Sequence, residues 1–492
     1  MYPFALPGHC AAVGRATNEL PQSQPQADVS EPQLPDRAPE GTETLRVRCE
    51  VPAVTSRRPG RLHVRLPMNA ALLTDCALWL SSAAIEVAPM PPERLLAMAA
   101  DTAAAFIAPG GDAWVGLGAA RWLVPGLDDA ATLWAGMRDD SPDAPVPVAL
   151  GALPFRADEV ADALWQGLMP GGLMLPERLY VQQGGRAWWR LTLPVSDAAT
   201  LPARLARERQ TLAALAHAEA QALPAWHALG EGGAPAHYSQ AVTQAVARIR
   251  RGELVKVVLA RRGAVAFDSA PSAAALLARL SEHHPDCVRY AWRRGGKTWL
   301  GATPETLVRV DGRTLRTQAL AGTRTSERAA ELLESVKDRH EHAIVIDAIR
   351  RAIAPLTHAL PPPCEPTIRR LRGLAHLHTP IAATLRADVD FLRLVRTLHP
   401  TPAVCGLPAE RAAELLAALE PEPRGLYAGP FVRLSPYDDG HAVVALRGAV
   451  IDGRIAVLPA GAGIVEGSDG EAELAETRVK QRSVLDAFQG ER

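Results

Sequence analysis

The chain has 492 residues, with 53 lysines and arginines against 54 aspartates and glutamates, and a formal charge of -1. That balance gives no electrostatic reason to expect nucleic acid or an anionic membrane surface as a partner. Hydrophobic residues make up 48%, enough for a sizeable core, and no run approaches the ~20 apolar residues of a membrane helix.

The N-terminal residues Met1-Tyr-Pro-Phe-Ala-Leu-Pro-Gly8 lack a basic segment followed by an apolar core, so no secretory signal is expected and the cytoplasm is the expected compartment. The six cysteines, Cys10, Cys49, Cys76, Cys287, Cys364 and Cys405, form no CxxC pair, so reduced thiols are expected, not a disulfide frame or a zinc site. Residues 1–43 are rich in Pro, Gln, Ser and Glu without periodicity and read as a disordered tail. Residues 44–234 read as an α/β region of short strands and Ala/Leu-rich helices. Trp114 to Ala120 and Trp188 to Pro194 are expected strands, and Leu201 to Ala222 a long helix. Gly116 and Gly118 suggest a dinucleotide loop, but the residues around Trp122 do not complete GxGxxG.

Residues 235–488 carry more chemistry. Ser239 is placed as the cap of a helix with Val242, Val246 and Ile249 on one stripe, ended by Gly252. A strand follows from Glu253 to Arg262, with Lys256 on the same face as Leu254 and Val258. A lysine in so apolar a strand is either at a rim, its head reaching water, or a desolvated amine facing a cleft. Ser272 to His284 is an expected helix. Val288–Trp292 and Thr298–Leu300 form an expected hairpin across Arg293 to Lys297. Gly296-Lys297-Thr298 imitates a phosphate loop, but Ala291 stands where that motif needs glycine. Glu305 follows Pro304 directly after a strand, as a helix-start acid or as a proton-donating acid in a cleft. Strand Leu315–Leu320 is expected to run into an Ala321-Gly322-Thr323 turn whose amides suit an anion.

Two acidic helices follow. Ser335 to Arg350 places Asp338 and Glu341 three apart, with Ile344, Ala348 and Ile349 as the buried stripe. His340 and His342 point to different sides and do not make HExxH. Near the end, a glycine turn with Gly461 and Gly463 leads into a helix with Glu473 and Glu476 again three apart, followed by Lys480. Taken alone, such pairs are solvated helix faces. Two of them with a glycine turn suggest a site for a hard cation. Between the helices lie a strand opened by His376, a stiff loop from His399 to Pro408, a helix from Ala409 to Leu419, a Tyr427 turn, and a strand from Ala442 to Val450 that contains Arg447.

The ordered motifs LVKVVLAR, GATPE, ALAGT, KDRHEH, AHLHTPI, HPTPAVCG, RGLYAGP, ALRGA and GAGIVEGSDGEAELAETRVK resemble the chorismate-utilising enzyme family over residues 235–488. The HPTPAVCG loop is most similar to the isochorismate synthases, with Cys405 replacing a small residue. Gly470 stands where the family often has proline. The resemblance implies an α/β fold of two large packed β-sheets flanked by helices, as in anthranilate synthase component I, with the site in a cleft between the two halves. It implies chorismate as substrate, isomerised to isochorismate by water addition at C2 and loss of the C4 hydroxyl. Lys256 is then the base and Glu305 the acid. Mg2+ is the implied cofactor, held by Glu341 and Glu476 with Asp338 and Glu473 nearby. Tyr427 and Arg447 are implied to hold the enolpyruvyl carboxylate, with Gly322, Thr323, His376, Gly461, Gly463 and Lys480 completing the substrate site. The alternatives left open are a salicylate synthase, which also eliminates pyruvate, an ammonia-using anthranilate or aminodeoxychorismate synthase component, and a non-catalytic binder. Menaquinone and siderophore pathways both start from isochorismate. A monomer is expected, with no nucleic-acid or membrane partner.

Overall fold

The computed structural model of the chain describes residues 79–489, apart from 125–129, 220 and 232–233. The expected tail over 1–43 lies outside the described residues. Strands dominate, and among the described residues every pairing between them is antiparallel except that of Leu80–Val87 with Met137–Asp139.

The strands form two arms. The larger runs, in spatial order, Met137–Asp139, Leu80–Val87, Arg186–Pro194, Gly172–Gln183, Ala113–Leu123, Ala103–Ile107, Val288–Arg294, Lys297–Thr303, Gly448–Asp452, Ile455–Ile464 and Lys256–Phe267. Trp226–Ala228 and Gly406–Leu407 both pair with the last of these. The second arm begins at Ala149–Ala152, which pairs with the start of Gly172–Gln183. It continues through Pro430–Leu434, Gly440–Val444, Thr306–Asp311, Thr314–Thr325, Leu374–Thr384 and Thr367–Leu371.

The arms face each other across aromatic side chains. Phe431 of the second arm lies 6.3 Å from Phe106 and 5.3 Å from Tyr290 of the first, ring centre to ring centre. The outer face of the larger arm is covered by helices Leu201–Ala216, Ala273–His283 and Gly470–Phe488. Both faces of the central strands are therefore buried. In Ala103–Ile107, Ala104 and Phe106 point to the inner core while Ala103, Ala105 and Ile107 point to the outer one. A strand covered on both sides reads as a continuous apolar run. This is why the N-terminal region was expected to contain Ala/Leu-rich helices where the structure has long strands and short 3-10 turns. The first α-helix among its described residues is Leu201–Ala216, six residues shorter than expected.

Other expectations are corrected by packing. Gly116 and Gly118 lie within Ala113–Leu123, and a Cβ on Gly116 would meet Pro176 at 2.4 Å, so close strand packing explains that glycine. The Arg293 to Lys297 hairpin closes on Gly295 and Gly296, both at positive φ, as a two-residue turn demands. Ser239 is inside helix Ala234–Arg250, where its hydroxyl donates to Glu471 at 2.9 Å. Cys287, Cys364 and Cys405 are free thiols. Among the described residues no helix is long and apolar enough to cross a membrane.

One buried pair organises the strand Lys256–Phe267. Arg424 and Glu420 are 2.5 Å apart, with side chains 3% and 9% exposed. The guanidinium also donates to the Val258 and Val404 carbonyls, and Glu420 accepts from the Ala260 amide at 2.8 Å. Removing one partner of such a pair strands the other charge in the interior. Glu420→Gln is expected to destabilise the fold by about 3–5 kcal/mol in urea unfolding. Glu414→Gln, which removes the partner of exposed Arg411, is expected to cost less than about 1 kcal/mol. Equal effects of the two substitutions would contradict this account.

Candidate active site

A cleft enclosing about 1030 Å³, its open mouth included, lies at the inner end of the Lys256 strand. All its lining residues fall between Lys256 and Val484. The expected position between the two halves of the chain is thus corrected: among the described residues, none of those before Lys256 lines the cleft. Every sequence-expected site residue lines it, namely Lys256, Glu305, Gly322, Thr323, Asp338, Glu341, His376, Tyr427, Arg447, Gly461, Gly463, Glu473, Glu476 and Lys480. Ala403 and Val404 of the stiff loop form part of the apolar wall.

Lys256 begins its strand and is 1% exposed. It is a desolvated cleft amine, not a rim residue, and its Nζ donates to Glu341 Oε1 at 2.6 Å. Gly463 on the neighbouring strand makes room for this contact, since a Cβ there would stand 2.7 Å from that oxygen. Gly461 and Gly463 belong to strand Ile455–Ile464, so the expected glycine turn is a strand end where side chains must be absent. Burial pushes the Glu341 carboxyl up, but the charge and hydrogen bond of Lys256 outweigh it and hold the group below its ordinary value.

Glu305 behaves in the opposite way. It sits between strands Lys297–Thr303 and Thr306–Asp311, so it does not start a helix. Burial pushes its carboxyl up to about 7, against the opposing charges of Lys256, Lys480 and Arg447.

Gly322 and Thr323 form a bulge inside Thr314–Thr325, where a turn was expected. Gly322 is at φ +70°, and its carbonyl accepts from His376 Nδ1 at 2.9 Å. The Thr323 hydroxyl is 3.3 Å from the same nitrogen. His376 Nε2 faces Arg447 Nη2 at 3.1 Å and must accept from it. The ring is therefore neutral, and burial together with Arg447 and Lys480 pushes its pKa down to about 3. Tyr427 lines the same wall, its hydroxyl raised to about 12 by burial.

Arg447 is not in a strand. It occupies the break between Gly440–Val444 and Gly448–Asp452, at φ +52°. Its carbonyl accepts from Ala302, and a Cβ on Gly301 would stand 2.7 Å from that oxygen.

The two acidic helices are Val336–Ile353, capped by Ser335, and Gly470–Phe488, capped by Asp469. The buried stripe of the first is His342, Val345, Ile346, Ile349 and Ile353, one residue out of phase with the expected Ile344 and Ala348. His340 is exposed and His342 buried, on different sides as expected. Each carboxylate is turned to a basic partner: Glu341 to Lys256, Asp338 to Arg324 at 2.6 Å, Glu473 to Lys337 at 3.3 Å, and Glu476 to Lys480 at 2.7 Å. Lys480 also donates to the Gly461 carbonyl at 2.7 Å. Arg324 and Lys337 were missed as site residues in the sequence, although Arg324 directly follows the ALAGT motif and Lys337 opens the KDRHEH motif. Among the described residues no three acidic, histidine or cysteine side chains converge closely enough to enclose a metal ion as they stand. The donor set nonetheless suits a hard cation that keeps most of its waters: the oxygens are all carboxylate, and two ligands suffice. Burial, reinforced by Glu476, raises the Glu473 carboxyl, the strain that a cation between two acids relieves.

A deep cleft walled by buried acid, base and guanidinium groups defines an enzyme for a small anionic molecule. The chain belongs to the chorismate binding enzyme family, whose model matches residues 129–489. It is 35% identical to the salicylate biosynthesis isochorismate synthase of Pseudomonas aeruginosa, over 66% of this chain and 70% of that one. It is 31% identical to the isochorismate synthase EntC of Escherichia coli K12, over 71% of this chain and 88% of that one. The solved structure of MenF, the menaquinone-specific isochorismate synthase of Escherichia coli, superposes with a TM-score of 0.70 at 27% identity, over 83% of this chain and 95% of that one. Anthranilate synthase component I of Streptococcus pneumoniae shares the fold at 18% identity and a TM-score of 0.59.

The Glu305 shift makes a stability prediction. Its folded value is raised from 4.5 to about 7, so the stability it contributes is fully present below about 4.5 and lost as pH rises through about 7. A shift of that size corresponds to roughly 3 kcal/mol. Urea unfolding at pH 5 and pH 8.5 is expected to show that loss in the wild type and to lack it in Glu305→Gln. Parallel losses in both proteins would contradict the assignment.

Proposed function

We propose that this protein is an isochorismate synthase that adds water to C2 of chorismate as the C4 hydroxyl leaves. The observation that carries the reading is the pairing in one cleft of a buried lysine with a buried carboxylic acid raised to about 7. The family membership and the named relatives supply the substrate class. Lys256, acting as the neutral amine and not as the ammonium paired with Glu341, takes the proton of the attacking water. Glu305 gives its proton to the departing hydroxyl, which would otherwise be a poor leaving group. The double bonds shift between the two centres. A proton returned from lysine to glutamate through solvent closes the cycle, so no atoms are gained or lost overall.

The chain's other residues hold the substrate. In this reading Arg447 and Tyr427 take the enolpyruvyl carboxylate, and His376, neutral, accepts from Arg447 and so fixes its guanidinium. The backbone at Gly322, Thr323, Gly461 and Gly463 lets the substrate approach closely, and Lys480 adds positive charge beside it. Glu341 and Glu476 are the proposed magnesium ligands, with Asp338 and Glu473 next to them. Held by those carboxylates, magnesium would supply positive charge for the ring carboxylate and would neutralise Glu341 in place of Lys256.

Incubation with chorismate and magnesium is expected to give isochorismate alone by liquid chromatography, and EDTA is expected to abolish the reaction. Salicylate with pyruvate would redirect the reading to a salicylate synthase, and anthranilate formed from ammonia would redirect it to that class. Glu305→Gln is expected to lower kcat by about 10²- to 10⁴-fold. Because the protonated acid is the active form, wild-type kcat should fall as pH rises above about 7. A kcat independent of pH between 6 and 9 would remove Glu305 from the acid role.

A further inference from the structure

A second pocket lies where the C-terminal helix meets the hairpin of Thr367–Leu371 and Leu374–Thr384. It encloses about 1010 Å³, its open mouth included, and takes no part in the chemistry above. His283, His284, Arg372, Arg478, Arg482 and Ser483 face it. Arg478 and Arg482 are one helical turn apart and share a face. Each has its own carboxylate: Arg478 pairs with Glu231 at 2.7 Å, and Arg482 with Asp486, also on the pocket wall, at 2.6 Å. Arg372, exposed at the hairpin tip beside Gly373, has no side-chain hydrogen bond or ion pair among the described residues.

The imidazoles record the resulting field. His283 is pushed below its ordinary value by burial, then by Arg372 and Arg279, against the opposite pull of Glu282 and Asp486. His284 is pushed down by burial and by Arg447, His283 and Arg372, although it donates to the Ser483 carbonyl. His283 Nε2 lies 3.4 Å from Arg279 Nη2 and accepts from it, which leaves the proton on Nδ1. That nitrogen is buried with no partner. An unspent buried donor beside an unpaired guanidinium lacks one component, an oxyanion.

The pocket also touches the catalytic cleft through one residue. His284 Nε2 donates to the Ser483 carbonyl at 3.0 Å. The Ser483 hydroxyl donates to the Lys480 carbonyl at 2.7 Å and stands 3.5 Å from Arg447 Nη1. We propose that this pocket is an accessory oxyanion site that takes the phosphate or carboxylate group of a small molecule on Arg372 and His283, and that its occupancy is felt at Arg447 through His284 and Ser483.

The test is calorimetric titration of the full chain with inorganic phosphate and, in parallel, succinate, at ionic strength held constant with chloride. Binding is expected to survive Arg447→Ala, which disables the catalytic anion site, and to weaken at least about tenfold in Arg372→Ala, which removes an exposed side chain from a turn. Whichever of phosphate and succinate binds more tightly identifies the kind of group the pocket takes. In the wild type the bound anion is expected to change KM for chorismate several-fold, and Arg372→Ala should erase that change while keeping basal kcat. Simple competition in the cleft would persist in Arg372→Ala. The proposal is overturned if neither anion binds, if binding disappears in Arg447→Ala but not in Arg372→Ala, or if bound anion leaves KM unaltered.

Discussion

Beneath the cleft, the ion pair of Glu420 with Arg424 secures the strand that begins at Lys256. Its oxygens and nitrogens are spent on that strand's own backbone, at Val258 and Ala260, and on Val404 in the loop that walls the cleft. Burying two charges is unfavourable unless their remaining hydrogen-bonding capacity is met, and here it is met by polar backbone groups that would otherwise be orphaned at the strand's end. The same strand pairs with Ile455–Ile464 in a register that sets Gly463 against Val258 and Gly461 against Ala260. The glycines, the lysine and the loop are therefore held in one frame. A slip of one residue would turn Lys256 away and put a side chain where Glu341 now stands.

Within that frame, two glutamates of identical chemistry are driven apart by their surroundings. Glu341 has an ammonium at hydrogen-bond distance and stays a carboxylate, while Glu305 has only distant positive charge and is dominated by burial. Pairs of titratable groups separated in this way mark the division between a charge-holding role and a proton-donating one. His376 adds a third case. It lies among cations and is kept neutral, so it serves Arg447 as an acceptor without competing for an anionic substrate.

Much of this was legible in the sequence because the relevant signals are local. A lysine inside an apolar strand, carboxylates three apart on a helix and a proline-fixed glutamate each constrain chemistry within a few residues. What was not legible depends on neighbours distant in sequence. Ala103 to Ile107 reads as helix or strand until the cores on both of its faces are known. Ser239 has the composition of a cap, yet the helix begins five residues earlier and the serine serves Glu471 instead. Gly461 and Gly463 suggested a turn, whereas the reason for glycine there is the approach of Tyr427, Glu341 and Lys256 from elsewhere in the chain.

Arg447 is the clearest example, because the apolar run Ala442 to Leu446 continues smoothly toward it and nothing local announces a break. A non-glycine residue in the left-handed region costs on the order of 1–3 kcal/mol and persists only where the surroundings over-determine it. They do so here. Tyr290 donates to the Leu446 carbonyl at 3.0 Å, Ala302 donates to the Arg447 carbonyl at 3.0 Å, and Gly301 and Gly448, where a Cβ would collide with Tyr290 and with backbone oxygens, let these groups approach. Ala428, also on the cleft wall, is at φ +62°. Two strained residues facing one cavity mean that the conformational cost of placing the guanidinium beside His376 is met when the chain folds, and is not charged again when an anion arrives. The sheet's stability is thereby converted into a preorganised guanidinium.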